Sequence, residues 1–406
     1  MTLDRGAGAR EQRPAHDLPA TKPLTEPAPE PGCLGIGSFE PELGGRIENV
    51  TLAYESWGEL DETGTNAVLV VHALTGDAHA AGGPDARHRR GGWWDEVIGP
   101  GKPLDTEKFF VLCSNVLGGC SGSTGPASLD PKAGRPYGMR FPTVTIRDMV
   151  RAQRRLLEKL GVRRLALVIG GSIGGQQALE WAVEFPDFVE KSAVVAATSH
   201  LGPQGIGMSE IGRRAITADP DWQGGDYYGT GRSPENGLAI ARMAGMMTYQ
   251  SASGQWERFG RRPATRGGHL ENPGGTFDIE CYLQYQGADL VGRFDANSYL
   301  YLLRAMDLYD VGAGYGSLRE AFRRVRARML FVGIESDWLF PAEEVRETVR
   351  EARGAGVDVS YAEIGTKSGH DAFLKDWDEL RAAIRPFVED EAPRKNNNGR
   401  RGHDGA

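Results

Sequence analysis

The stretch Gly170-Gly171-Ser172-Ile173-Gly174 has the form G-x-S-x-G. An apolar run, Leu165-Ala166-Leu167-Val168-Ile169, precedes it, and a helical pattern from Gly175 to Ala182 follows. Strand, tight turn and helix together make a nucleophile of such a serine. The turn lifts Oγ clear of the strand ends, and the helix aims its first N–H groups at the same point, where an oxyanion is stabilised. The plain alternative is a glycine-rich phosphate loop. That loop calls for Lys-Ser/Thr or a G-x-G-x-x-G run, and neither is present.

A serine nucleophile needs a base and a group to orient the base, and in a parallel sheet each is expected at the C-terminal end of a later strand. Of eight histidines, His370 fits. It follows the strand-like Val357 to Ile364 and a short loop, Gly365 to Gly369. His72 and His79 precede the serine, His200 and His269 fall in the middle region, and His403 lies in a polar tail. The acid should end the strand before His370, which is Met329 to Ile334, followed by Glu335-Ser336-Asp337. Asp337 is preferred over Glu335 because it reaches further into the loop; taken alone it reads equally well as a helix cap. One oxyanion donor is then the N–H of Ile173. The second comes from the loop Ala73 to Asp77 after the buried strand Asn66 to His72, with Leu74 as the candidate; only the backbone of either residue matters.

These residues need an α/β scaffold to hold them. Strands are expected between Arg46 and Trp57, at 66–72, 109–113, 165–169, 189–197, 329–334 and 357–364, and helices at 145–160, 237–248, 296–309 and 372–388. The strand reading stops between 198 and 316, where helical stretches alternate with loops rich in Gly and Arg. The expected architecture is an α/β-hydrolase fold with a mostly helical lid inserted between the nucleophile elbow and the acid loop. Its boundaries are a Pro-rich tail at 1–38, a first core segment at 39–197, the lid at 198–316, a second core segment at 317–390 and a polar tail at 391–406. A lid excludes water and shapes the pocket.

The bulk composition narrows the function classes. Hydrophobic residues make up 40% of the 406, enough for a full core, and the net charge is −8 without a long basic block. Nucleic acid and anionic membrane surfaces are poor partners for such a chain. No apolar run is long enough to span a bilayer, and the first residues carry no apolar signal-like core, so a cytoplasmic location is expected. Cys33, Cys113, Cys120 and Cys281 lack C-x-x-C spacing; buried free thiols are expected, with neither zinc nor disulfides.

Further motifs add a resemblance. His72-Ala73-Leu74-Thr75-Gly76-Asp77-Ala78-His79, Gly92-Trp93-Trp94-Asp95, Ser114 to Cys120, Thr143 to Asp148, Ala178-Leu179-Glu180-Trp181 and Gly369-His370-Asp371-Ala372-Phe373 resemble the homoserine O-acyltransferases of the α/β-hydrolase type, over about residues 35–390. Ile173 and Gln176 depart from the pattern, which usually has methionine at both. The resemblance implies that Arg242 holds the homoserine carboxylate, that Tyr249 lies in the same pocket and that Asp371 receives the amino group. It implies Ser172, Asp337 and His370 as the catalytic triad, acetyl-CoA as co-substrate, no bound cofactor or metal, and a homodimer joined through the lids. Family members that use succinyl-CoA tend to carry arginine two residues after the catalytic acid. Leu339 stands there, which implies an acetyl donor. Succinyl transfer, transfer to serine, and simple ester or thioester hydrolysis stay open as alternatives, as does a binding module without activity. Arg213-Arg214 and Arg261-Arg262 are candidates for the coenzyme A phosphates.

Overall fold

The computed structural model describes residues 32–84, 88, 90–264, 270 and 274–390. Eight strands form one sheet: β1 (Gly32–Phe39), β2 (Ile47–Trp57), β3 (Ala67–Val71), β4 (Phe110–Ser114), β5 (Leu165–Gly171), β6 (Lys191–Val195), β7 (Arg328–Ile334) and β8 (Val359–Ile364). Their order is β1-β2-β4-β3-β5-β6-β7-β8. β1 and β2 pair antiparallel, β2 meets β4 antiparallel, and every pairing from β4 to β8 is parallel.

The parallel strands read as continuous apolar runs because both faces are covered. All five residues of β3 are buried. Val68 and Val70 pack on one face with Trp94 and Phe373, and Leu69 and Val71 on the other with Trp181. Helices α1 (Ile146–Lys159), α2 (Ile173–Glu184), α9 (Ala342–Gly354) and α10 (Trp377–Glu389) cover the sheet. Thr145 begins α1 through a capping box: its hydroxyl accepts the Asp148 N–H at 3.2 Å, and the Asp148 carboxylate accepts the Thr145 N–H at 3.0 Å.

Between β6 and β7 lie α3 (Pro203–Ala218), α4 (Glu235–Tyr249), α5 (Ala252–Phe259), α6 (Asp278–Val291) and α7 (Ala296–Asp307), followed by the short α8 (Leu318–Phe322). The excursion leaves and rejoins the core at neighbouring points, since Val311 N–H donates to Ser199 O at 2.9 Å and His200 bridges Asp310. It is tied to the acid loop: Gln204 Nε2 donates to Trp338 O at 2.6 Å, and Trp338 Nε1 donates to Gln250 O at 3.0 Å.

The sequence expectations need correction at three places. Strand β1 starts at Gly32, inside the stretch assigned to the N-terminal tail; residues 1–31, like 391–406, lie outside the described residues, and so does His269. The helix expected from Ala372 to Val388 is two pieces, a 3₁₀ turn at Gly369–Leu374 and then α10. The Asp376 carboxylate accepts the hydroxyls of Thr366 and Ser368, the latter at 2.9 Å, and turns the chain between them. Of the four cysteines, all free thiols, only Cys113 is buried, and Cys33 is exposed on the edge strand.

Candidate active site

Ser172 sits between β5 and α2 with φ 61° and ψ −127°, a conformation that costs a side-chain-bearing residue energy and survives only where the surroundings enforce it. The glycines around it show the enforcement. A Cβ on Gly170 would lie 2.6 Å from the Gly174 carbonyl carbon and 2.7 Å from Val71 O, and one on Gly175 would lie 2.7 Å from the Ala197 methyl. The Ser172 N–H is held by Val195 O at 3.0 Å. Ile173 is the first residue of α2, so its N–H is one of the helix's opening donors.

His370 Nδ1 and Asp337 Oδ2 are 2.6 Å apart, and both side chains are buried. The other oxygen of Asp337 accepts the N–H groups of Leu339 at 2.9 Å and Phe340 at 3.0 Å, so the carboxylate cannot rotate away. Glu335 is exposed. Burial alone would lower the His370 pKa; the Asp337 carboxylate, with a smaller contribution from Asp371, overrides it and leaves the imidazole above its ordinary value. Phe340 and Phe373 pack their rings 5.4 and 5.5 Å from the imidazole.

Ser172 and His370 open into a cavity of about 130 Å³. Leu74, Arg242, Tyr249, Leu339 and Asp371 line the same cavity. Asp337 and Ile173 are buried and do not line it. Arg242, on α4, has its guanidinium 5.5 Å from the Tyr249 ring and Nη1 at 3.5 Å from the Thr75 hydroxyl. Its Nε is buried with no hydrogen-bond partner among the described residues. Asp371 accepts a hydrogen bond from Lys375 Nζ at 2.8 Å. Burial pushes the Tyr249 hydroxyl above its usual pKa, with Arg242 opposing and Asp371 reinforcing the shift, so both charges act on one phenol. A half-buried cation and a half-buried anion thus flank the space in front of the Ser172–His370 pair.

Three contributors were not assigned from sequence. Thr75 touches the cavity, and His72, set aside as a base by its chain position, holds the loop that carries Leu74. His72 Nε2 accepts the Val116 N–H at 3.1 Å, so the proton is on Nδ1, which donates to Ala73 O at 2.7 Å. Burial lowers the pKa of this imidazole, against the opposing pull of the Ala73 carbonyl and Asp77. Tyr299, from α7, also lines the cavity and has no local sequence signal. Away from the cavity, Glu55, His79 and His88 come together, but the two imidazoles stack face to face at 3.9 Å and 1°, so their in-plane lone pairs do not converge on one point.

The sheet order, the elbow and the Asp–His pair define an enzyme built on the α/β-hydrolase plan, and the family model described as alpha/beta hydrolase fold matches residues 66–375. A homoserine O-acetyltransferase of Symbiobacterium thermophilum is 53% identical over 350 residues, covering 86% of this chain and 91% of that protein. One from Moorella thermoacetica is 49% identical, covering 87% and 94%. The chain belongs to the homoserine O-acetyltransferase family of α/β-hydrolases. Among solved structures, homoserine O-acetyltransferase from Bacillus anthracis superposes with a TM-score of 0.84 at 28% identity, covering 90% of this chain and 99% of that one. Esterase E22 superposes with 0.82 at 30% identity, covering 89% and 100%.

Proposed function

We propose that this chain moves an acetyl group from acetyl-CoA to the side-chain hydroxyl of L-homoserine by a ping-pong route through an acetyl-serine. The carrying observation is the cavity that joins Ser172 and His370 to Arg242, whose donors are only partly used, and to Asp371. His370 takes the Ser172 proton on Nε2 while Oγ attacks the thioester carbonyl carbon. The N–H groups of Leu74 and Ile173 receive the oxyanion. The C–S bond breaks, the thiolate takes the proton from His370, and coenzyme A leaves as the thiol. Homoserine then enters with its carboxylate on Arg242 and its ammonium on Asp371, beside Tyr249. His370 removes its hydroxyl proton, the oxygen attacks the acyl carbon, and Ser172 leaves carrying that proton. The products are O-acetyl-L-homoserine and free enzyme. Asp337 keeps the Nδ1–H tautomer and stabilises the imidazolium. These steps draw on no bound cofactor or metal.

Leu339 supports an acetyl rather than a succinyl donor. It is buried and lines the cavity. A succinyl carboxylate left there without a cation would be costly. Assembly as a homodimer through the lid is supported by apolar side chains exposed on its helices, Ile240 at 52% and Trp256 at 68%. A cytoplasmic location is in keeping with four free thiols and with no helix, among the described residues, long and apolar enough to cross a membrane.

The similarity to an esterase favours one second reading, in which water replaces homoserine. Thiol release from acetyl-CoA separates the two. Transfer requires that homoserine accelerate steady-state release and that O-acetylhomoserine accumulate in step with the thiol. Equal release without homoserine would make the protein a hydrolase.

A further inference from the structure

Arg242 lines the cavity, and two further guanidiniums, Arg293 and Arg90, follow it outward behind the lining. Thr75, in the loop after β3 that carries Leu74, joins the first two: its hydroxyl faces Arg242, and its carbonyl accepts Nη1–H of Arg293 at 2.8 Å. Arg293, just beyond α6, pairs with Oδ2 of Asp289 at 3.4 Å. Oδ1 of Asp289 pairs with Arg90 at 2.5 Å. Among the described residues, Asp289 is the one carboxylate within ion-pair distance of Arg90 or Arg293. Burial, then Arg242, then Arg90 push the Arg293 guanidinium below its ordinary pKa, against the pull of Asp289. Like charges are thus crowded here in a chain whose net charge is −8. The sequence around Arg90, Arg87-His88-Arg89-Arg90, is the most basic run in that part of the chain.

A group of cations that outnumbers its carboxylates is stabilised by an incoming anion. The three are graded in exposure: Arg242 lies against the cavity, Arg293 is 38% exposed and Arg90 64% exposed. A donor with its acyl group at Ser172 and a charged, hydrated far end matches that gradient. The other basic pairs are differently engaged. Arg213 is committed to Asp307 and Glu210, and Arg262 to Asp278. Arg293, by contrast, is hydrogen-bonded to the loop that carries Leu74.

We propose that Arg293 and Arg90, bridged by Asp289, form the subsite for the phosphate groups of the donor's coenzyme A carrier. The planar guanidinium fork suits phosphate oxygens. The assignment rests on the acetyl-CoA reading above.

The test compares acetyl-CoA with S-acetylpantetheine, which has the same thioester and no phosphate. Arg90→Glu, at an exposed position, should raise KM for acetyl-CoA by about tenfold with kcat within about twofold. The ratio of kcat/KM between the two donors should fall by the same factor. Arg293→Ala should act in the same direction, and Arg293→Lys should restore part of the loss. Added salt should raise KM for acetyl-CoA in the unmodified protein more than KM for S-acetylpantetheine. Equal losses with both donors, or a rise confined to the KM for homoserine, would overturn the assignment. If the unmodified protein transferred acetyl from neither donor, the acetyl-CoA reading itself would fail. Calorimetric binding of free coenzyme A, weakened in Arg90→Glu or not, would still decide the phosphate site.

Discussion

The elbow and the lid contribute to one cavity under opposite constraints. Around Ser172 the backbone of three strands closes so tightly that Gly170 and Gly175 have no room for a methyl group. On the lid, α4 supplies Arg242 and Tyr249 from a helix that also exposes Ile240 to solvent. The elbow fixes a reacting atom to within a fraction of an ångström, which is what nucleophilic attack requires. The lid needs only to bring a charge of the right sign to the right wall. On the proposed mechanism, chemistry is held by the elbow and acceptor choice by the lid, and substitutions in the two should fail in different ways.

Ser172→Ala should produce the largest loss. Turnover should fall by roughly 10⁴-fold or more, with the fold unchanged by circular dichroism. In the unmodified protein, mass spectrometry after exposure to acetyl-CoA alone should find one acetyl group on the peptide containing Ser172. An acetyl group found consistently elsewhere, with Ser172 free, would remove the elbow from the chemistry.

Asp337→Asn should come next, with roughly a 10⁴-fold loss if the tautomer is its main contribution. The pH dependence sharpens this. Acylation needs neutral His370, and Asp337 holds the imidazole pKa up against burial, so the rate should rise with pH through a raised value. Asp371→Asn removes the smaller raising contribution without disturbing the Nδ1 hydrogen bond. Its acid limb, followed as thiol release with acetyl-CoA alone, should therefore shift to lower pH. A limb that stays in place would mean that another group sets it.

Much of the core half was legible because its constraints are local. A sharp strand-to-helix turn selects Gly170, Gly171 and Gly174 within one short stretch, and strands buried on both faces must be apolar throughout. β1 escaped notice because Gly32, Gly35 and Gly37 interrupt its pattern, and the register shifts on either side of Gly37 break the alternation that marks an edge strand. Arg242 and Asp371 were reached only through family resemblance. Taken alone, an arginine on an amphipathic helix reads as a solvated charge. Thr75 and Tyr299 meet at the cavity from distant segments, with Arg293 hydrogen-bonded to Thr75 behind it, and no local spacing records that meeting.

On the lid side, Arg242→Ala and Asp371→Ala should each spare acyl-enzyme formation relative to its use by homoserine. Losing a hydrogen bond to a charged group costs about 1.5–3 kcal/mol, so kcat/KM for homoserine should fall about 10- to 150-fold. Rapid-quench measurement of the two half-reactions checks this; slow acylation with normal homoserine use would invert the division of labour. A smaller effect is expected at the junction of the two regions. Leu339→Arg should shift donor preference toward succinyl-CoA, read as the ratio of kcat/KM for the two donors, because a cation then faces the succinyl carboxylate. An unchanged ratio would leave Leu339 as packing alone, and a preference of the unmodified protein for succinyl-CoA would overturn the donor assignment.

The smallest effect lies behind the elbow, where activity should barely change. Gln176, on α2, is fully buried, and neither its Oε1 nor its Nε2 has a hydrogen-bond partner among the described residues. Its neighbour Gln177 is satisfied, accepting from Gln153 at 2.9 Å and donating to Ile173 O at 3.2 Å. A buried amide without partners forfeits its hydration, at roughly 1–3 kcal/mol. Methionine has nearly the same length and volume, no strong polar group, and enough flexibility to fill the same space. Gln176→Met should therefore raise unfolding stability by about 1–2 kcal/mol, the low end allowing for imperfect repacking. In thermal unfolding that corresponds to a rise in Tm of about 1 °C per kcal/mol for a chain of this size. The acylation rate should stay within about twofold, since the Ser172 backbone is fixed by Val71, Val195 and the glycines rather than by this side chain. A lower Tm would show that the amide is satisfied in solution, by an enclosed water or by a shifted neighbour, and that the helix behind the nucleophile is held by polar contacts as much as by packing.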